Sequence, residues 1–406
     1  MIPNQPDIAI TTRSLAALQA IHRFGAELLS HGCHAGVIFE ALAHDPDCAL
    51  AQAYAAALFL TQMTREGRVQ AAPRLAAANQ LSEHATLRER QIIAAISHWA
   101  VGDEQATTRL LHDVVREYPH DLLSAKLCQI LQLSHGDLAG MCRTASIASA
   151  AEPESGYAAG LFAFALEQAG ETDRAEALAY RALERNPLTD PWAQHTLAHV
   201  HAAREDWVKG RAFLRAHVSS WNRCSSFMLT HNWWHAALFA LELDDGDHAL
   251  RQFDEHVWGV RKHHCQDQIN AISLLARLEM HGIDAGSRWY DIADHVAPQV
   301  NDRISGFLDL HYLYALARSG RDAVADELLQ DLVDRSGGAP TGLLARGIVG
   351  HARGRWYDAA LAIGQARGRI GMIGGSQMQR ALFEDMLFDS LSRNAQTSRP
   401  RERLYA

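Results

Sequence analysis

The sequence lacks the alternating β-branched runs and Asn-Gly turns that announce sheet, so practically no sheet is expected. It also lacks paired cysteines. Cys33, Cys48, Cys128, Cys142, Cys224 and Cys265 are scattered with no CxxC spacing, which excludes a disulfide framework and a thiolate zinc site and leaves reduced, packed thiols. No run of about 18 apolar residues occurs, and the start "MIPNQPDIAITTRSL" has no basic, apolar and cleavage-site succession. A cytoplasmic protein without membrane association is the expectation. No dense Lys/Arg run precedes the tail "SRPRERLYA", and the formal net charge is -9, so nucleic acid is not an expected partner. There is no P-loop, no GxGxxG after a strand and no GxSxG elbow, which leaves flavin, nicotinamide and serine-hydrolase chemistry without support.

What is present is punctuation. "GDEQATTRLLHDVVREYP", "GDLAGMCRTASIASAAEP" and "GETDRAEALAYRALERNP" begin at Gly102, Gly136 and Gly170, end at Pro119, Pro153 and Pro187, and repeat every 34 residues. Glycine closes one helix without a Cβ penalty and proline stops the next, so the period marks tetratricopeptide-like (TPR-like) helical hairpins. Ala175 and Ala182 supply the small residues that close helix approach requires. Looser copies follow at Gly282, Gly320 and Gly354. The reading is an all-α superhelix, a TPR-like α-solenoid closed around an inner pocket. Residues 1–20 form a partly frayed segment, 21–393 a single solenoid and 394–406 a flexible basic tail. Two stretches break the rhythm: "RAHVSSWNRCSSFML" adds about six residues, and "RIGMIGGSQMQRALF" inserts a glycine-rich turn.

Histidine is abundant, 23 in 406 residues, and its placement is ordered. Measured from the hairpin turn, His195 lies nine residues before Arg204, His235 nine before Asp244 and His311 nine before Gly320. His199 and His231 add a second imidazole four residues from His195 and His235, on the same helical face. First helices of successive repeats pack about 10 Å apart, so the four imidazoles should converge. Of Trp233 and Trp234, one should pack in the array and the other flank the pocket. Three readings stand open. The imidazoles are ligands for one divalent transition metal, or metal-free acid/base groups around a bound heteroaromatic, or satisfied structural histidines.

Weaker candidates surround them. His263, His264, Cys265 and Asp267 are close in "KHHCQDQ", though adjacent helical residues point about 100° apart. Asp309 is placed to orient a histidine of a neighbouring repeat. Gln379 and Arg380, in the "GGSQMQR" turn, suit either an anionic or carbonyl-bearing ligand or a capping role.

The blocks "WAQHTLAHV", "HNWWHAALFALELDDGDHAL", "FLDLHYLYALA" and "GGSQMQRALFEDML" together resemble the tetratricopeptide repeat protein 38 family over roughly residues 35–390. The resemblance covers His195, His199, His231, Trp233, Trp234, His235, Asp309, His311, Gln379 and Arg380. It departs at Ala202, Asn270 and Ala381, where that family usually carries acids. One branch of the resemblance is encoded with toxoflavin (azapteridine) biosynthesis enzymes. It implies an O₂-dependent oxidase, cofactor-free or metal-assisted, acting on a small polar heteroaromatic such as a reduced azapteridine. His195, His199, His231, His235 and His311 would be catalytic, and Trp233, Trp234, Asp309, Gln379 and Arg380 substrate-binding. The reading from another class is a non-catalytic TPR scaffold that holds a peptide or partner enzyme in its groove.

Overall fold

The computed structural model describes residues 8–186 and 190–398; Pro187, which marks the end of the third repeat in the sequence, lies outside the described residues, as do 1–7 and 399–406. Twenty-one α-helices and no strand occur among the described residues, with one isolated antiparallel bridge, Gly32 to Cys224. No helix among the described residues is long and apolar enough to cross a membrane. The first helix, Leu15–Leu29, begins inside the stretch expected to fray, because the Ser14 side chain accepts from the Ala17 N–H and caps it. The last, Gln377–Ser398, runs past 393. Contacts divide the chain into two compact units, Met1–Asp267 and Gln268–Ala406.

In the first unit the 34-residue hairpins are explicit. Helices Gly156–Gln168, Thr172–Arg185 and Pro191–Ala203 follow one another. They pack through three rungs of small or branched residues: Ala159 with Ala182 and Ala193, Ala163 with Ala179 and Leu197, Leu166 with Ala175 and Val200. On Pro191–Ala203 the rungs use positions 193, 197 and 200, one helical stripe. His195 and His199 therefore project from a different face, away from the rung seam. Apolar packing thus aims the histidines before any chemistry is considered.

Hairpin turns need one residue at positive φ. Gly102, Gly136 and Gly170 take it at 82°, 77° and 84°, and Glu205 and Asp244 take it at 56° and 57°. The turn residue of the His195 helix is accordingly Glu205 rather than Arg204. His195 stands ten residues before its turn while His235 stands nine before Asp244. The two pairs are therefore staggered, and the equivalence expected from spacing alone is off by one residue.

The inserted stretch 218–225 has a job in this unit. It forms a 3₁₀ turn, Val218–Arg223, with Trp221 fully buried and its indole N–H donated to Gln194 Oε1 at 2.7 Å. It then pairs with the end of the first helix: Ser225 N–H donates to His31 C=O at 2.6 Å, and Cys33 N–H to Arg223 C=O at 3.2 Å. The amino-terminal hairpin is thereby clamped beside the histidine helices, and His31 is held at φ 51°.

The second unit repeats the hairpin theme in helices Gly306–Arg318, Asp322–Arg335, Pro340–Ala352 and Trp356–Ala366. Gly320 and Gly354 close its turns at φ 71° and 70°. The glycine-rich insertion is a 3₁₀ stretch, Arg367–Ile373, followed by Gly374 and Gly375 at positive φ. A Cβ on Gly375 would lie 2.8 Å from the Phe307 ring, so this turn tolerates only glycine.

Candidate metal centre

Helix Pro191–Ala203 opens with Asp190 capping the Ala193 N–H and Pro191 in the first turn. Helix Ser226–Glu242 is capped by Ser225. Side by side, these two helices bring His195, His199, His231 and His235 into one cluster. Each histidine is at most 2% exposed, and one ring nitrogen from each lies within 4.8 Å of all the others. His195 is the hub. Its Nε2 is 3.0 Å from His199 Nε2 and 3.1 Å from His231 Nε2, and its ring centroid is 4.9 Å from that of His235.

Three converging Nε2 atoms pose a proton-counting problem. A neutral imidazole nitrogen carries either a hydrogen or a lone pair. One His195 Nε2 facing two others can match one of them linearly and leaves the second contact poorly served. A shared cation removes the conflict. Two nitrogens about 2.1 Å from one ion at an angle of 90–109° lie about 3.0–3.4 Å apart, the spacing seen here. The widest separation, 4.8 Å, must close to about 4.2 Å for a trans pair and to about 3.4 Å for a tetrahedral one before all four can bind. Burial lowers the basicity of His195 well below the ordinary imidazole value, and the three neighbouring histidines lower it further. The hub therefore offers a lone pair rather than a charge.

Residues not singled out in the sequence complete the centre. Glu167 lies 3.2 Å from His199 Nδ1 and accepts from Gln168 Nε2 at 2.5 Å. Gln168 Nε2 also lies 3.4 Å from His199 Nδ1, so a carboxylate and an amide together stand behind the nitrogen that faces away from the cluster. Aromatic rings wall the cluster. Trp234 stacks on His231 (5.1 Å, 9°), Trp192 on His195 (4.7 Å, 28°) and Phe227 on His231 (5.2 Å, 30°), while Phe164 tilts over His195 at 5.3 Å. Trp234 is thus the tryptophan that flanks the centre, and Trp233 is the one that packs in the array, stacked on His256 at 3.8 Å.

Beyond Trp192 sits Lys126, one of three lysines in the chain and 2% exposed. Its Nζ lies 2.7 Å from His31 Nε2 and 4.0 Å over the Trp192 ring. Burial pulls the Lys126 amine down to about 7, against a partial offset from Asp190, and burial pushes the Asp190 carboxyl up to about 7. His31 is likewise held well below its ordinary value, by burial first and then by Lys126 and His231.

The other predicted residues lie elsewhere. His311 belongs to the second unit, where its Nδ1 is 2.8 Å from the Phe307 carbonyl and burial lowers it to about 4. Asp309, in the same unit, is paired with Arg335 at 3.1 Å rather than with an imidazole; burial raises its carboxyl and Arg335 offsets part of that rise. The carboxylate that orients a histidine of the centre is Glu167. Gln379 accepts from Ser376 N–H at 2.9 Å while Ser376 Oγ accepts from Gln379 N–H at 3.3 Å, a reciprocal cap on the last helix. Arg380 donates to the Gly375 carbonyl, so both belong to the cap of that turn. In "KHHCQDQ", Asp267 gathers His264 at 3.4 Å and Thr230 at 3.3 Å, and Cys265 donates to the Gln62 carbonyl.

Fold and centre together define a TPR-like helical-hairpin protein with a buried four-histidine cluster. No family model matches the chain. Among solved structures it is similar to human IFIT1, solved as a dimer with m7Gppp-AAAA, at 12% identity over 93% of this chain and 86% of that one, with a TM-score of 0.48. It is also similar to a tetratricopeptide repeat protein from Parabacteroides merdae (15% identity, 75% and 98% covered, TM-score 0.29) and to the P58(IPK) TPR domain (11%, 77% and 100%, TM-score 0.23).

Proposed function

We propose that His195, His199, His231 and His235 hold one divalent transition metal ion and that the protein is a metal-assisted oxidoreductase. The observation that carries the first part is the convergence of three Nε2 atoms at 3.0 and 3.1 Å with Glu167 behind His199. A set of neutral nitrogens without thiolate suits zinc, copper, nickel or iron, and in a dry site such an ion is retained rather than exchanged with bulk water. The second part deepens the reading toward O₂ chemistry on a small polar heteroaromatic such as a reduced azapteridine. Loss of two electrons and two protons from the reduced ring to O₂ gives the aromatic ring and H₂O₂. Aromatic walls and the low basicity of His195 support it, as does the resemblance to the branch of the tetratricopeptide repeat protein 38 family encoded with toxoflavin biosynthesis enzymes. A second reading, a non-catalytic scaffold for a peptide or partner enzyme, draws on the hairpin architecture itself.

The two readings part on metal and turnover. Elemental analysis of tag-free protein should find near-stoichiometric transition metal in the wild type and none in His195→Ala/His231→Ala. The metal-loaded wild type should consume O₂ with a reduced azapteridine, and the double variant should not. A wild type that neither holds metal nor consumes O₂ would leave the scaffold as the better reading, and a double variant that consumes O₂ equally well would place turnover outside these histidines.

A further inference from the structure

The Lys126–His31 pair lies outside the four-histidine cluster, and its contacts form a small aromatic box around one imidazole. The His31 ring stacks on Trp192 (4.8 Å, 23°), has Phe227 at 6.1 Å as a second wall, and presents Nε2 to the Lys126 amine at 2.7 Å. The floor and the amine are buried, Trp192 at 7% and Lys126 at 2% exposure, while His31 and Phe227 are half-buried and form the side nearest solvent. The Trp192 indole N–H is buried and has no acceptor among the described residues, which leaves a polar atom of the floor unmatched. His31 itself reaches this place from a backbone at φ 51°, a region that disfavours a Cβ-bearing residue and that glycine or asparagine adopts readily. The turn is held by its own backbone bonds to Glu27 and Leu28, by the bonds with Arg223 and Ser225, and by the contact with Lys126.

We propose that the box formed by Lys126, Trp192 and Phe227 is a binding site for a planar nitrogen heterocycle, with the His31 imidazole as the chain's own plug. The chemistry that would be recognised is the chemistry His31 displays. It has a flat face for Trp192 and an sp² nitrogen or carbonyl oxygen as acceptor for the Lys126 amine. Such an amine, lowered by burial to about 7, donates to an acceptor without requiring a formal anion. The box shares two walls with the histidine cluster, since Trp192 also stacks on His195 and Phe227 also stacks on His231. A heterocycle bound there would sit one ring away from the centre. In this respect the inference rests on the oxidoreductase reading and names its substrate class, but the site itself is defined without metal.

The test is calorimetric, on chelator-treated, metal-free full chain, so that its failure cannot be confused with failure of the metal centre. His31→Gly removes the plug at a backbone angle glycine prefers; His31→Asn, also tolerant of that angle, serves if the glycine variant is unstable. The probes are 4-methylimidazole and the larger benzimidazole. The unplugged variant is expected to bind one equivalent of each, about tenfold or more tighter than the wild type, whose plug must first be displaced. Lys126→Met in the unplugged background should weaken binding about tenfold, the loss of one hydrogen bond to the amine. A folded, unplugged variant that binds neither probe overturns the proposal, as does one whose affinity ignores Lys126→Met. Binding of 4-methylimidazole without benzimidazole also overturns it, because a hole that accepts only the deleted side chain is a packing site.

Discussion

Each unit buries histidines on its first helices, and they differ in what the ring nitrogens face. In the second unit His351 is satisfied by ordinary partners, Tyr314 Oη at 3.2 Å on Nδ1 and Asp389 at 2.9 Å on Nε2. His311 turns its Nδ1 to a backbone carbonyl one helical turn back. In the first unit His195 faces two other imidazole nitrogens. Residue type and burial are the same, yet His351 has a hydroxyl and a carboxylate for its two nitrogens whereas the nitrogens of His195, His199 and His231 face one another. Burial of a histidine is therefore weak evidence of chemistry, and mutual orientation is strong evidence.

The comparison breaks most sharply on metal content. His195→Ala should abolish stoichiometric metal, whereas His351→Ala, equally buried but internally satisfied, should leave it unchanged. Equal loss in both would mean that metal content tracks folding rather than ligation. Next, Glu167→Gln keeps the shape of the side chain and removes the carboxylate behind His199. A drop of about 10–100-fold in metal affinity is expected, measured by competition with a chelator of known affinity. No change would return Glu167 to a purely packing role.

The pH response sharpens the other half. His311 is held at about 4 when folded, below the ordinary 6.5 of an unfolded histidine. Between those values the unfolded chain binds the extra proton, so the stability its neutral form supports is intact above about pH 6.5 and is lost as the pH falls toward 4, about 3 kcal/mol in all. His311→Leu should flatten that part of a urea-midpoint profile; an unchanged slope would place the titration elsewhere. A smaller effect, on packing, is expected at Gly210. A Cβ there would lie 2.7 Å from the Phe239 ring, under the helix that carries His235. Gly210→Ala should cost about 1–3 kcal/mol by thermal denaturation, through overpacking.

Much of the first unit was legible in the sequence because its signals are local. The 34-residue period, the small residues at 175 and 182 and the four-residue histidine steps need only helix geometry. The stagger of the pairs was not legible, because Glu205 and Asp244 take positive φ without being glycine. Glu167 was written as a polar residue ending the apolar run "AGLFAFALEQ", a signal that could have been read. His31 and Lys126 meet across 95 positions through a clamp made by an inserted stretch, and no periodicity foretells that contact. Asp309, Gln379 and Arg380 stand out in the sequence as candidates for substrate binding, and in the structure the partners Arg335, Ser376 and Gly375 engage them, contacts that no spacing foretells.

The most direct test of the central claim is a cobalt(II) titration of metal-free wild-type protein followed by visible absorption. One equivalent should bind, with ligand-field bands that saturate at that ratio and disappear in His195→Ala. Absence of a saturable band in folded wild type, or the same band in His195→Ala, would contradict a metal centre built on these four histidines.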